Sequence, residues 1–188
     1  MFLADHSRRE HARIQVREGY DPQTSKTRGI AHYLRGGQQV WSGMVISLST
    51  TGSDVANRPE YVVGVPADAI QPLVYFALTD YFDSSVEATR KIPGLSCREN
   101  YVIETAWYDD QADYDIEGTP LTWDGATGKV TATTWDDDED NIIGVTCADQ
   151  EALENPIDRT KEYSEAEPPV TYLRFRTSAH PNRNTPPS

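Results

Sequence analysis

Residues Tyr101 to Val145 read YVIETAWYDDQADYDIEGTPLTWDGATGKVTATTWDDDEDNIIGV, and this run decides the fold class. Tyr101, Ile103, Thr105 and Trp107 alternate with Val102, Glu104, Ala106 and Tyr108, a periodicity that predicts a β-strand. Two further strand-like runs, Gly118 to Trp123 and Val130 to Trp135, flank Asp124-Gly125-Ala126-Thr127-Gly128. The two glycines of that segment offer positive φ for a hairpin loop. A short apolar run, Ile142-Ile143-Gly144-Val145, returns after an acidic loop. The order predicts a β-meander with no catalytic side chains at its turns, which is the character of a scaffold.

The same signature extends outward. Val40, Ser42, Met44, Ile46 and Leu48 share one face of a predicted strand that Thr51-Gly52-Ser53-Asp54 turns. Tyr61 to Val65 and Leu73 to Leu78 are the next strands, and the nearly unbroken apolar character of the second predicts a central position. Ile92-Pro93-Gly94-Leu95-Ser96-Cys97 reads as a turn leading into the strand at Tyr101. Val170 to Thr177 reads as a closing strand, with Leu173 and Phe175 on one face and Arg174 and Arg176 on the other. That basic face is expected to meet acidic neighbours or a partner. Short helical turns are expected near Ser7 to Val16 and Asp149 to Glu154, and a helical turn or loop at Ser84 to Lys91. Ala148 to Pro169, rich in Glu, Asp and Pro, reads mainly as a long surface loop.

A chain of 188 residues fits one domain with extensions. A domain of this size buries roughly 70% of its unfolded surface and needs no disulfide or metal to fold. Twelve prolines and twelve glycines against two methionines favour loop-rich β structure. The expected architecture is mostly β: a compact antiparallel β-barrel or sandwich body at residues 37–178. An extended N-terminal arm (1–36) precedes it and a polar C-terminal tail (179–188) follows. No apolar run approaches the length of a membrane span and no signal-peptide core follows the first residues, so a soluble chain without a membrane partner is expected.

The net charge of -13 is unevenly spread. Residues 1–36 carry seven Lys/Arg and four Asp/Glu, a net +3, whereas residues 37–188 carry a net -16. So acidic a body repels phosphate backbones, which argues against nucleic acid as a partner. Arg8, Arg9, Arg13, Arg17, Lys26, Arg28 and Arg35 make the arm the basic surface, fit either to dock on something acidic or to stay solvated.

Chemistry finds little support. Counted from Asp113, oxygen ligands fall at positions 1, 3 and 5, glycine at 6 and Asp124 at 12, the spacing of a calcium-binding EF-hand loop. Against it stand the short Asp at the last position, Pro120 within the run, and strand-like rather than helical flanks. Asp136-Asp137-Asp138-Glu139-Asp140 reads as a solvated hairpin tip that also discourages edge-to-edge pairing. His6, His11 and His32 fall in the arm and His180 in the tail, so the body offers no histidine to a catalytic triad or zinc site. Cys97 and Cys147 lack metal spacing and are expected as buried thiols, although pairing depends on whether their strands are neighbours. Neither an enzyme nor a metal or other cofactor is expected. Trp41, Trp107, Trp123 and Trp135 lie in or beside predicted strands, where they pack a core or an interface or, if exposed, stack on sugars.

Several of these elements, taken in order, resemble the head-decoration (capsid cement) proteins of tailed bacteriophages. The resemblance rests on Met44-Val45-Ile46-Ser47-Leu48, on Gly94-Leu95-Ser96-Cys97 with Tyr101 to Thr105, and on Tyr114 to Thr122. It continues through Gly128-Lys129-Val130-Thr131 and Ile142 to Val145, and covers about residues 40–147. The acidic insert at Asp136 to Asp140, the arm and the segment after Val145 have no counterpart in it. Membership would imply a non-enzymatic virion protein on the outer capsid surface, commonly a homotrimer, that clamps neighbouring subunits of the major capsid protein. The basic arm would then contact the shell or an adjacent decoration subunit. The competing expectation is a β-sandwich binding module, tail-associated or carbohydrate-binding, that uses exposed tryptophans.

Overall fold

The computed structural model describes residues 15–18, 31–35, 37–49, 60–64, 74–78, 91–97, 100–135, 141–147 and 171–177. Among them are eleven strands and no helix. The first five strands are β1 (Gln15–Glu18), β2 (Ala31–Tyr33), β3 (Val45–Leu48), β4 (Tyr61–Val63) and β5 (Val74–Ala77). They are followed by β6 (Lys91–Ser96), β7 (Val102–Thr105), β8 (Pro120–Trp123), β9 (Val130–Ala132), β10 (Gly144–Thr146) and β11 (Leu173–Thr177). A six-stranded sheet has the order β1-β7-β11-β10-β8-β9, and a five-stranded sheet the order β2-β6-β5-β3-β4. Every pairing of these strands is antiparallel, and the described part of the chain is mostly β, as its residue pattern predicts.

One core joins the two sheets. Val45, Val74, Phe76 and Leu95 from the five-stranded sheet pack with Ile103, Leu121, Val130, Leu173 and Phe175 from the six-stranded one. Phe76 and Phe175 meet across the seam with ring centroids 5.7 Å apart and planes tilted by 56°. Each large side chain so buried contributes about 1.5–3 kcal/mol. Because strand side chains alternate, Ile46 and Ala77 point the other way and join Leu34, Val40, Met44, Tyr61, Ile92 and Trp107 in a second cluster. The five-stranded sheet is thus apolar on both faces, and its middle strand is β5, as its nearly continuous hydrophobicity predicts.

The edge strands also meet across a gap. Leu34, just after β2, forms a parallel bridge with Tyr61 of β4 at the opposite edge, and the Arg35 amide donates to the Tyr61 carbonyl at 2.9 Å. Beyond β7, Tyr108 bridges Val130 of β9: the Asp109 amide donates to the Val130 carbonyl at 2.8 Å and the Val130 amide to the Trp107 carbonyl at 3.1 Å.

Several sequence expectations need correction. The run Tyr101 to Val145 is not a meander: β7 pairs with β1 and β11, and β10 lies between β11 and β8. The closing strand β11 displaces β8 from β7 because it buries Leu173 and Phe175 in the shared core and sets Arg174 opposite Glu104. Ile92 to Ser96, read as a turn, belongs to the six-residue strand β6. Proline is tolerated there because its missing donor faces Leu78, one residue past the end of β5, where the Leu78 amide still donates to the Pro93 carbonyl at 3.1 Å. The strand expected from Val40 begins only at Val45, since the Met44 amide closes a turn onto the Trp41 carbonyl at 3.0 Å. Of the two glycines in the loop between β8 and β9, only Gly128 takes positive φ (66°). Gln15 and Val16, at the end of an expected helical turn, lie in β1, and Lys91 opens β6. The rest of the expected turns at 7–16 and 84–91, the whole of 149–154, the loop at 148–169 and the carboxylates at 136–140 fall outside the described residues.

Candidate functional site

The basic N-terminal segment enters the body at two sheet edges. β1 is the outer strand of the six-stranded sheet, in register Gln15 to Glu104 and Val16 to Ile103, with a shift before Glu18 pairs with Val102. Arg17 falls at that shift, between Val16 and Glu18. β2 is an outer strand of the other sheet, with Ala31 opposite Pro93 and Tyr33 opposite Lys91. Arg35 follows it, half-buried, and its guanidinium donates to the Ser49 hydroxyl at 3.4 Å. Arg8, Arg9, Arg13, Lys26 and Arg28 lie outside the described residues. The structure therefore separates Arg17 and Arg35 onto different sheets, and the segments that carry the other basic residues lead into β1 and β2.

Arg174 answers the question posed by the closing strand. Its guanidinium donates twice to one Glu104 oxygen, through Nε at 2.8 Å and a terminal nitrogen at 2.6 Å. Glu104 is buried while Arg174 keeps its outer part in solvent, with side chains 7% and 41% exposed respectively. Cross-strand register places them directly opposite on β7 and β11. Arg176, two residues on and exposed, donates to the Asn100 side-chain oxygen at 3.2 Å. The basic face is thus occupied first by an acidic neighbour within the fold.

The hairpin loop 124–128 is the seam between the sheets. The Val45 amide of β3 donates to the Gly128 carbonyl at 2.9 Å, and the buried Trp107 indole donates to the Thr127 carbonyl at 3.0 Å. The Lys129 ammonium lies 5.8 Å from the centre of the Trp107 ring, within cation–π range. Gly64, at the end of β4, lies so close that a β-carbon there would overlap the Gly125 carbonyl. Asp124 organises the loop from within: one carboxylate oxygen accepts from the Ala126 amide at 3.1 Å, the Thr127 amide at 2.7 Å and the Thr127 hydroxyl at 2.6 Å. The Thr127 hydroxyl, ahead of the backbone amides and Lys129, holds the Asp124 carboxyl below its ordinary range.

The run with EF-hand spacing does not wrap a single point. β8 occupies Pro120–Trp123 between its first ligand position and its last, and Asp124 spends one oxygen on its own turn. Asp113 likewise accepts from the Asp115 amide at 3.0 Å. Among the described residues no three His, Cys, Asp or Glu side chains converge to hold a metal ion. The loop is pinned by Tyr114, whose hydroxyl donates to the Asp109 and Val130 carbonyls at 2.7 and 3.2 Å and whose ring meets Tyr108 edge-on at 5.9 Å. Burial pushes both phenols up, Tyr114 beyond the usual tyrosine range. At its tip Ile116 is 70% exposed, the one exposed large hydrophobic side chain among the described residues. The Ile116 carbonyl accepts from the hydroxyls of Thr119 (2.7 Å) and Thr146 (2.6 Å), which fixes the backbone that presents it.

The tryptophans divide. Trp107 and Trp123 are buried and spent on packing, whereas Trp41 and Trp135 are half-buried. The Trp123 indole nitrogen is enclosed without a hydrogen-bond partner. Cys97 is buried, as expected, whereas Cys147 is half-buried. Sequence reasoning missed the seam because its contacts are made by backbone carbonyls and by the absence of a side chain at Gly64. The Asp-x-x-Thr spacing at Asp124 and Thr127 was the available signal, a capped turn.

No known protein family, curated protein or solved structure matches this chain.

Proposed function

We propose that the chain is a non-enzymatic structural virion protein that binds the outer surface of a phage capsid and stabilises contacts between major capsid protein subunits. In this reading it acts as a homotrimer, each copy gripping the shell through its basic N-terminal segment. The observation that carries the reading is the coincidence of charge and topology. The segment with net +3 supplies an edge strand to each sheet of a body with net -16. A shell contact made by Arg8, Arg9 or Arg13 is then passed through β1 into β7, and from there to β11 through the Glu104–Arg174 pair. Three such segments on one trimer raise the effective concentration of each after the first has bound, so weak individual contacts suffice.

The elements that carry the resemblance to capsid decoration proteins support it further. Val45–Leu48, Val102–Thr105, Pro120–Trp123, Val130–Ala132 and Gly144–Thr146 are strands, with Gly118 at a positive φ of 85° before the third. Within this reading the body is barrel-like, which the bridges Leu34–Tyr61 and Tyr108–Val130 support.

The test follows from where the segment is anchored. Removing residues 1–36 would strip both edge strands, so the informative change is confined to residues before β1. Arg8→Glu, Arg9→Glu and Arg13→Glu together are expected to abolish binding to undecorated capsids while urea unfolding of the body stays unchanged. Undiminished capsid occupancy by this variant would overturn the assignment of the grip.

A further inference from the structure

The chain contains one Asp-Gly step, Asp124-Gly125, and it lies in the loop that joins the two sheets. Asp-Gly steps are chemically labile because glycine leaves the following amide sterically open to the aspartate side chain. The Gly125 amide nitrogen, on losing its proton, attacks Cγ of the protonated Asp124 carboxyl. A C–N bond forms, the C–OH bond breaks and water leaves, closing a succinimide. Water then opens the ring. Cleavage at the backbone carbonyl yields isoaspartate, and cleavage at the side-chain carbonyl returns aspartate.

We propose that Asp124-Gly125 is a latent isoaspartate site that Thr127 holds in check, and that its conversion opens the seam between the sheets. The hydrogen bonds to the Asp124 carboxylate act as the restraint. The carboxylate oxygen that accepts from Ala126, from the Thr127 amide and from the Thr127 hydroxyl is committed to residues beyond Gly125. Those donors stabilise the ionised carboxylate, which is a poor electrophile, against the protonated form that cyclises. Both residues are exposed, so solvent water reaches the site.

The consequence is also local and physical. Isoaspartate inserts an extra backbone carbon before Gly125. That shifts the Gly125 carbonyl packed on Gly64, the Thr127 carbonyl that holds the Trp107 indole, and the Gly128 carbonyl that holds Val45. Two of these ties reach the five-stranded sheet, at Val45 and Gly64, and the third holds Trp107, just beyond β7, against the loop. The inference rests on this loop alone and holds whatever partner the chain has.

The experiment incubates the full chain at near-neutral pH and elevated temperature, natively and in denaturant, and quantifies isoaspartate at residue 124 by peptide mass spectrometry. Native wild-type protein is expected to convert roughly tenfold more slowly than the denatured chain, the factor carried by a hydrogen bond to a charged group. Thr127→Val and Thr127→Ala, which lack the hydroxyl, are expected to convert severalfold faster than wild type in the folded state, and Thr127→Ser at the wild-type rate. Converted protein should unfold at lower urea concentration than unconverted protein. Equal rates in native and denatured chains would overturn the proposal, as would folded Thr127→Val or Thr127→Ala chains as resistant as wild type.

Discussion

Replacing Gly64 by alanine tests the seam most sharply. Gly64 has φ of 74°, a conformation that costs an L-residue about 1 kcal/mol. The added β-carbon would overlap the Gly125 carbonyl, a backbone atom that cannot rotate aside. Relief requires the 124–128 loop to move off the five-stranded sheet, and overpacking of this kind costs about 1–3 kcal/mol. Moving it also strains the bonds from Val45 to Gly128 and from Trp107 to Thr127, worth about 1 kcal/mol each. The expected loss is about 4–6 kcal/mol, a large fraction of the ~5–15 kcal/mol that holds a typical domain folded. Gly118→Ala is the matched control: φ is 85°, yet nothing lies within 4 Å of the added carbon, so it should cost only about 1 kcal/mol. Urea unfolding followed by tryptophan fluorescence measures both. If Gly64→Ala loses no more stability than Gly118→Ala, the loop does not hold the sheets together and the reasoning fails.

The two buried tryptophans make a second pair: Trp107→Phe forfeits a bond to Thr127, whereas the Trp123 indole has no partner to lose. Trp107→Phe should therefore be costlier than Trp123→Phe by about 1 kcal/mol in the same unfolding assay, and equal losses would count against the geometry. Arg174→Met takes the guanidinium away from the buried Glu104 carboxylate and should cost about 2 kcal/mol, the solvent exposure of Arg174 keeping the figure below that of a fully buried pair. Tyr61 is pushed up from 10.0 to about 12, by burial first and then by Tyr75, and burial raises Tyr114 further. The unfolded chain thus gives up these protons first, so stability is intact below pH 10 and declines as pH rises from 10 toward 12. Of the ten tyrosines, a fraction should ionise only together with loss of tryptophan signal, and ionisation of all ten in a still-folded protein would contradict the burial.

The β class was legible because strands bury alternate residues. Leu173 and Phe175 are buried, Arg174 half-buried and Arg176 exposed, as the pattern of the closing strand requires. The central place of β5 was legible for a related reason, since apolar side chains on both of its faces need neighbours on both sides. Strand order was not legible, because partner choice depends on contacts between residues far apart in sequence. Glu104 and Arg174 are seventy residues apart, and nothing local announces their pairing. β6 was hidden by Pro93 and Gly94, whose turn chemistry is overridden where the missing donor falls at a ladder end and burial claims Ile92 and Leu95. The seam was invisible to pattern reading because its decisive features are carbonyls and a missing β-carbon.

The central claim is that this chain decorates a capsid through its basic N-terminal segment. Electron cryo-microscopy of the native particle tests it most directly. The claim predicts density for this fold on the outer shell, with the segment before β1 running onto the major capsid protein. A fully resolved shell bare of such density, on particles whose protein content includes the chain, would contradict it.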